Sequence, residues 1–382
     1  MDEWDLAIEK YEGLRRYREE NYGWYLILAW CYVCKGQPDK AREVLEDYLA
    51  TIADNALIRG TLGDIYCIQG DFEKAKKETD KAYVQAPEAN IYSKHFYLMC
   101  TEDFAALEPV IKQMEASPLV GSWIGFGSAP LALQGKLKDA RTSCDNWLEE
   151  WQGKIDSRTL GAMSLDFALF LEKTDDFAGA LAACETALRN AKETGDIWGE
   201  CVALYCRGVM QARQGNIKDS QESAEELRRA VESGPAKKRI RFYEALLGVI
   251  ALQKHDAQSA QDHLKKALSL TAIQERAYSA AIGGLRSSFL DYLAEACSQA
   301  GEWPEAKKAY EDVLSCMMTR GDGPSSALVL ARAYYKLGKV LEHLGDKANA
   351  AAKYRKFLDL WKNADPGLPE VEDAKKRLAA LS

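Results

Sequence analysis

The chain has little of what most enzymes and nucleic-acid-binding proteins are built from. Its 382 residues include four histidines, at positions 95, 255, 263 and 343, and one C-x-x-C. A structural zinc site needs about four convergent thiolate, imidazole or carboxylate ligands, so no metal is expected. Lys and Arg number 50 against 58 Asp and Glu, a net charge of −8. That is the wrong sign for a role in which clustered cations meet phosphate, and no nucleic-acid partner is expected. There are only ten prolines, and no alternating pattern with hairpin turns marks a strand. No run approaches the roughly 20 apolar residues that span a bilayer. The first residues, MDEWDLAIEKY, lack the basic and apolar stretches of a signal peptide. Membrane insertion is therefore not expected, and a cytoplasmic location is. The ten cysteines sit singly in helical patterns, as at Cys100, Cys144, Cys184 and Cys297, without the dense, loop-rich framework of small secreted scaffolds. They read as reduced core residues.

Motifs that could carry chemistry are equally sparse. Trp30-Cys31-Tyr32-Val33-Cys34 has the W-C-x-x-C spacing of thioredoxin-like enzymes, where a helix N-terminus lowers the first thiol's pKa. Here the motif falls in the middle of a helical pattern set by Leu28, Tyr32 and Gly36, with no strand before it. Gly121 to Ser128 is glycine-rich, but it lacks the preceding strand and the Lys of a phosphate loop. Gly127 and Ser128 read instead as small residues at a helix crossing, and Gly283-Gly284 as a helix break. His255 sits at a turn and His263 on a surface. The basic run Arg228-Arg229, Lys237-Lys238-Arg239 and Arg241 reads as a solvated helix face. With no nucleophile–base order and no paired-carboxylate signature, neither catalysis nor a cofactor is expected.

What is present is a repeat. Leu28-Ala29-Trp30-Cys31-Tyr32 with Gly36 and Ala41 returns 34 residues later as Leu62-Gly63-Asp64-Ile65-Tyr66 with Gly70 and Ala75. A fixed period of this size marks an array of stacked helix pairs. Turn residues fall at Gly36, Gly70, Gly135, Asp175, Gly215, His255, Gly301 and Gly345. The small residue five positions later is Ala41, Ala75, Ala140, Ala180, Ser220, Ala260, Ala306 and Ala350.

The second unit, with Gly63, Tyr66, Gly70, Ala75, Ala82 and Pro87, resembles a tetratricopeptide repeat, although Thr79 replaces the family's usual aromatic. The resemblance implies an all-α fold: a right-handed superhelical solenoid of antiparallel helix pairs, about nine units long, with a C-terminal capping helix. Residues 1–20 read as the lone second helix of a truncated repeat or as an N-terminal cap, with Trp4, Ala7, Tyr11 and Leu14 in second-helix register and a segment of a longer protein as the expectation. Residues 21–156 carry the 34-residue period, with a degenerate unit at 90–120 where Leu107 replaces the small residue. Residues 157–365 carry spacings of 40 to 46 residues and are expected to have longer helices. Residues 366–382 read as the capping helix. Tyr354 to Leu378 resembles the end of the tetratricopeptide regions that follow kinase or DNA-binding domains in bacterial signalling proteins.

Such a resemblance implies a non-catalytic scaffold that binds a protein or peptide on the concave face lined by the first helices. Counting from the turns places Trp30, Tyr205, Val209, Phe242, Val249, Asp291, Glu295, Arg332, Tyr335 and Lys339 on that face. Aromatic and aliphatic area followed by paired charges would suit an extended peptide or a partner helix. The alternatives are that the aromatics are buried by a neighbouring helix, and that the region senses a ligand and controls an attached kinase or DNA-binding domain. Oligomeric state and partner identity are not legible in the sequence.

Overall fold

The computed structural model describes residues 3–15, 17, 21–116, 125–151, 154–234, 237–273, 285–316 and 323–381, and every regular element among them is helical. Gly121 to Ile124 and Gly283-Gly284 lie outside the described residues.

The turns show why the chain folds into hairpins of helices. All eight turn positions have left-handed backbone: the six glycines have φ between 71° and 83°, Asp175 has 61° and His255 has 59°. Glycine takes this conformation without steric cost, whereas a side chain is strained there. A ninth left-handed turn stands at Glu102, φ 58°, in the degenerate unit. The next residue is often an aspartate that caps the second helix by accepting an N–H two or three residues on. Asp71 accepts from Lys74, Asp176 from Gly179 and Asp256 from Ser259, at 3.0 to 3.2 Å. Each cap stabilises its helix by about 1 kcal/mol. The eight small residues five positions after the turns are all fully buried, where the two helices of a pair cross.

The contacts divide the chain into two compact units, residues 1–121 with 272–275, and residues 122–271 with 276–382. The change of period near residue 157 falls inside the second.

Unit 1 holds α1 (Glu3–Arg15) and three pairs: α2 (Tyr22–Cys34) with α3 (Pro38–Thr51), α4 (Ala56–Gln69) with α5 (Phe72–Gln85), and α6 (Pro87–Thr101) with α7 (Phe104–Glu115). Successive repeats are tied by the same bonds, 34 residues apart. Tyr32 donates to Glu12 at 2.9 Å and Tyr66 to Glu46 at 2.5 Å; Lys35 pairs with Asp5 as Gln69 does with Asp39. Through these bonds α1 meets α2 as α3 meets α4. Apolar faces do the rest, with Tyr25 against Tyr48 edge to face at 4.8 Å among buried Leu28, Val44 and Leu45.

Unit 2 holds six pairs: α8 (Gly125–Leu133) with α9 (Leu137–Trp151), α10 (Ser157–Lys173) with α11 (Phe177–Thr194), α12 (Ile197–Arg213) with α13 (Ile217–Ser233), α14 (Ile240–Gln253) with α15 (Ala257–Ser269), α16 (Leu285–Gln299) with α17 (Trp303–Ser315), and α18 (Pro324–His343) with α19 (Lys347–Leu360). The last helix is α20 (Pro369–Leu381). Helices α10 to α13 have 17 or 18 residues, so the 40-residue spacing there is helix length. The wider spacings that follow are not helix length in α14 to α17, which have 13 to 15 residues, whereas α18 has 20.

In this unit the array returns on itself. Helix α18 packs along α8 and α10 as well as α16, while α10 takes only sparse contacts from α9. At the far end of the α18–α19 pair, Asp365 N–H donates to the Gly135 carbonyl at 3.1 Å and Asp365 Oδ2 accepts from Lys138 N–H at 2.9 Å. The Trp361 ring lies against Gly135 so closely that a Cβ there would meet it at 2.7 Å.

Candidate functional site

This return of the array decides where the expected groove residues lie. Tyr205, Val209, Phe242 and Val249 have no exposed surface. Tyr205 contacts Phe242 at a ring separation of 6.1 Å and Phe289 edge to face at 5.7 Å. The first helices α10, α12, α14, α16 and α18 each pack on the next, and α18 on α10, so the faces that an open solenoid would present to a partner are turned onto one another. Burial of these aromatics by neighbouring helices is the arrangement found.

The charged residues named with them lie at the same closure. Lys336 on α18 donates to Asp291 Oδ1 at 2.7 Å and to Glu295 Oε1 at 2.8 Å, both on α16. From the other side, Glu172 at the end of α10 is fully buried, flanked by Lys173 Nζ at 3.1 Å and by Arg213 Nε of α12 at 3.2 Å. Lys173 also donates to the Tyr292 hydroxyl at 3.1 Å, with its ammonium 4.3 Å from that ring's centre, and lies 3.9 Å from Asp291. Arg213 lies 3.9 Å from Glu295. Three cations thus balance three carboxylates across four helices. Burial pushes the Glu295 carboxyl up, but the charges of Lys336, Arg213 and Lys173 outweigh it and hold it down at about 2. Burial likewise works against the Lys336 ammonium, and Asp291 and Glu295 more than restore it. In this cluster Glu172, Lys173 and Asp291 are buried while Lys336, Glu295 and Arg213 stay partly exposed, and such a cluster specifies which helices meet more than it adds net stability.

A second buried carboxyl, Asp166 on α10, accepts from the Ser325 hydroxyl at the start of α18. Its Oδ2 has no hydrogen-bond partner among the described residues and lies against Gly323. The titratable groups facing it are the Cys144 and Cys206 thiols of α9 and α12. Burial, opposed only by the Ser325 bond, pushes it up to about 7.

Arg332, Tyr335 and Lys339 form a row on α18 that remains partly accessible. The chain's own α20 rests on it. Arg332 pairs with Glu370 at 2.7 Å, and Tyr335 OH donates to Asp373 Oδ2 at 2.7 Å. Lys339 Nζ stands 5.4 Å from the Tyr335 ring centre and adds its charge to the field at Asp373.

In unit 1, Trp30 is half-buried on α2 beside half-buried Leu26, with Tyr22 and Ile27 exposed at 39% and 43%. Trp30 is the expected groove residue that lies in this unit, partly accessible on a first helix. On the same helix, burial raises the Cys31 thiol, opposite to the activation that a W-C-x-x-C redox site requires.

Other sequence candidates have local roles. Lys237 Nζ donates to the carbonyls of Glu232 and Gly234 at 3.2 and 3.4 Å, and Arg228 pairs with Glu225 and Glu232, so part of the basic run closes the end of α13. His263 Nδ1 bonds to buried Glu244 at 2.7 Å. Ser128 is fully buried, as a crossing residue would be. Glu172, Lys173, Arg213, Lys336 and Asp166 were not singled out by the sequence. Their one signal is a charge at a position where the helix period calls for an apolar residue, as in Ala168-Leu169-Phe170-Leu171-Glu172-Lys173.

Family models described as tetratricopeptide repeat match residues 1–56 and 332–364. Among solved structures the chain is similar to a tetratricopeptide repeat protein from Parabacteroides merdae, at 16% identity over 81% of this chain and 98% of that one, with a TM-score of 0.39. It is also similar to YrrB, a TPR protein with an unusual peptide-binding site, at 17% identity over 56% and 91%, TM-score 0.32. BtubC from P. vanneervenii is similar at 18% identity over 64% and 92%, TM-score 0.38. No curated protein matches the chain.

Proposed function

We propose that this tetratricopeptide-repeat protein is a non-catalytic scaffold that binds a peptide or partner protein, in the cytoplasm and as part of a larger bacterial signalling protein. The observation that carries the reading is the exposed first-helix surface of α2, where Trp30 and Leu26 stand half-open between exposed Tyr22 and Ile27. Exposed aromatic and aliphatic area on a first helix, as at Tyr22 and Ile27, is area that a partner can cover. No helix among the described residues is long and apolar enough to cross a membrane.

The sensing alternative draws on the buried charge cluster. A ligand that favoured closed or open packing of α18 against α10 and α16 would change the shape presented to an attached domain.

The test is capture from the source lysate with the full chain, followed by calorimetry with each captured protein purified. A protein that binds the parent chain and loses about tenfold or more in affinity to a Trp30→Ala variant with an unchanged melting curve supports the scaffold reading. Loss of nothing in that variant, or failure of every purified candidate to bind directly, overturns it.

A further inference from the structure

Helix α20 is held to α18 in an unusual way for a helix at the edge of a stack. Of its thirteen residues only Ala374 is buried. Val371, Leu378 and Leu381 are half-buried, and Glu372, Lys375, Lys376, Ala379 and Ala380 are exposed. It packs along α19, and what ties it to α18 is polar. Glu370 meets Arg332 and Asp373 meets Tyr335, three residues apart and therefore on one face of the helix. One turn further, Arg377 reaches Glu342 of α18 at 3.3 Å and folds back on Asp373 at 2.6 Å. Burial pushes the Asp373 carboxyl up, but the Tyr335 and Arg377 bonds and the charges of Arg377 and Lys339 hold it below the usual range.

The α18 surface beneath is therefore matched to a helical segment with carboxylates at i and i+3, with Glu342 facing a cation one turn further. Arg332, Tyr335 and Lys339 fall at i, i+3 and i+7 on one face of α18, presenting a guanidinium, a hydroxyl donor and an ammonium. Arg332 is also fixed from behind, because its Nη1 donates to the Lys173 carbonyl at the closure of the array. That leaves Nη2 aimed at the incoming carboxylate. Partly exposed ion pairs are individually weak and salt-sensitive, so the polar hold of α20 on α18 can be exchanged for that of a better-matched helix.

We propose that the Arg332–Tyr335–Lys339 row is a docking site for an acidic helical segment of a partner protein, with carboxylates at i and i+3, and that α20 occupies it in cis as a displaceable stand-in. The proposal deepens the scaffold reading and rests on it: it assigns a second surface and the chemistry of what binds there. Occupation in cis makes the site self-limiting, since a tethered competitor acts at an effective concentration of the order of millimolar and only a segment with a closer match displaces it.

The experiment uses the full chain and a fluorescein-labelled peptide of residues 366–381, with binding read by anisotropy at low salt. A chain carrying Glu370→Gln and Asp373→Asn, which loosens α20 without touching the row, binds the peptide about tenfold or more tighter than the parent chain. A peptide with the same two replacements, and a Lys339→Glu chain otherwise loosened in the same way, both lose that gain. Equal binding of the charged and neutral peptides overturns the proposal, as does absence of binding to the loosened chain. Because the peptide replacements leave the protein untouched, that comparison does not depend on how any variant folds. If the peptide fails while a captured protein still depends on Trp30, only this site is lost. If the peptide binds and no protein partner is found, the scaffold reading fails by itself.

Discussion

Lys336 on α18 lies 2.7 Å from Asp291 on α16, a buried carboxylate whose neighbours also include Lys173. The pair joins two first helices whose apolar neighbours, Tyr205, Phe242 and Phe289, are fully buried, so charge and packing act on the same closure. Lys336→Met leaves Asp291 and Glu295 without their shared cation. The expected loss is about 1–3 kcal/mol in urea unfolding, since Lys173 and Arg213 still neighbour the two carboxylates, and the Lys336→Met/Asp291→Asn double variant recovers part of it, because the penalty is the under-compensated charge rather than the missing bond.

Acid weakens the same closure. The Glu295 carboxyl is held at about 2, below its usual 4.5. A carboxyl depressed on folding contributes stability that is present above the higher value and lost as pH falls through the lower one. Melting temperatures therefore fall between about pH 4.5 and about pH 2, and Glu295→Gln flattens that part of the curve while lowering stability at neutral pH.

Asp166 has the opposite sign. Its carboxyl is pushed from 3.8 up to about 7, so its contribution is intact below about pH 4 and is lost as pH rises to about 7. Asp166→Asn keeps an acceptor for the Ser325 hydroxyl and carries no charge. It is expected to be more stable than the parent chain at pH 8, by on the order of 2–4 kcal/mol, and much closer to it at pH 5; denaturant titrations at the two pH values read the difference.

Gly338 on α18 faces the Tyr354 ring of α19, where a Cβ would meet ring carbons at 2.6 to 2.9 Å. Tyr354 is fully buried and its hydroxyl is tied to Glu342, so the ring has nowhere to go. Gly338→Ala is expected to destabilise by about 1–3 kcal/mol, although alanine is the better helix former.

Sequence reasoning recovers the hairpins because their determinants are local. The left-handed turns at Gly36, Asp175 and His255, and the buried Ala75 and Ser220, are each fixed by neighbours within a few residues, and spacing alone finds them. It also reads α1 in second-helix register, and Glu12 and Asp5 of α1 bond Tyr32 and Lys35 of α2. The closure in unit 2 is a different matter. Periodicity shows that Tyr205 and Phe242 belong to an apolar face but not what covers it. The covering contacts, such as Ser325 with Asp166 and Arg332 with the Lys173 carbonyl, join residues 159 apart in sequence. The same holds for Tyr335: its place on the row follows from counting, whereas its occupation by Asp373 depends on how α20 folds back.

The most direct test of the scaffold reading is hydrogen exchange of the full chain with and without the purified protein that it captures. The account predicts slowed exchange in α2 around Trp30 and, where the partner carries an acidic helix, faster exchange in displaced α20. Unchanged exchange across both helices in the presence of saturating partner would contradict it.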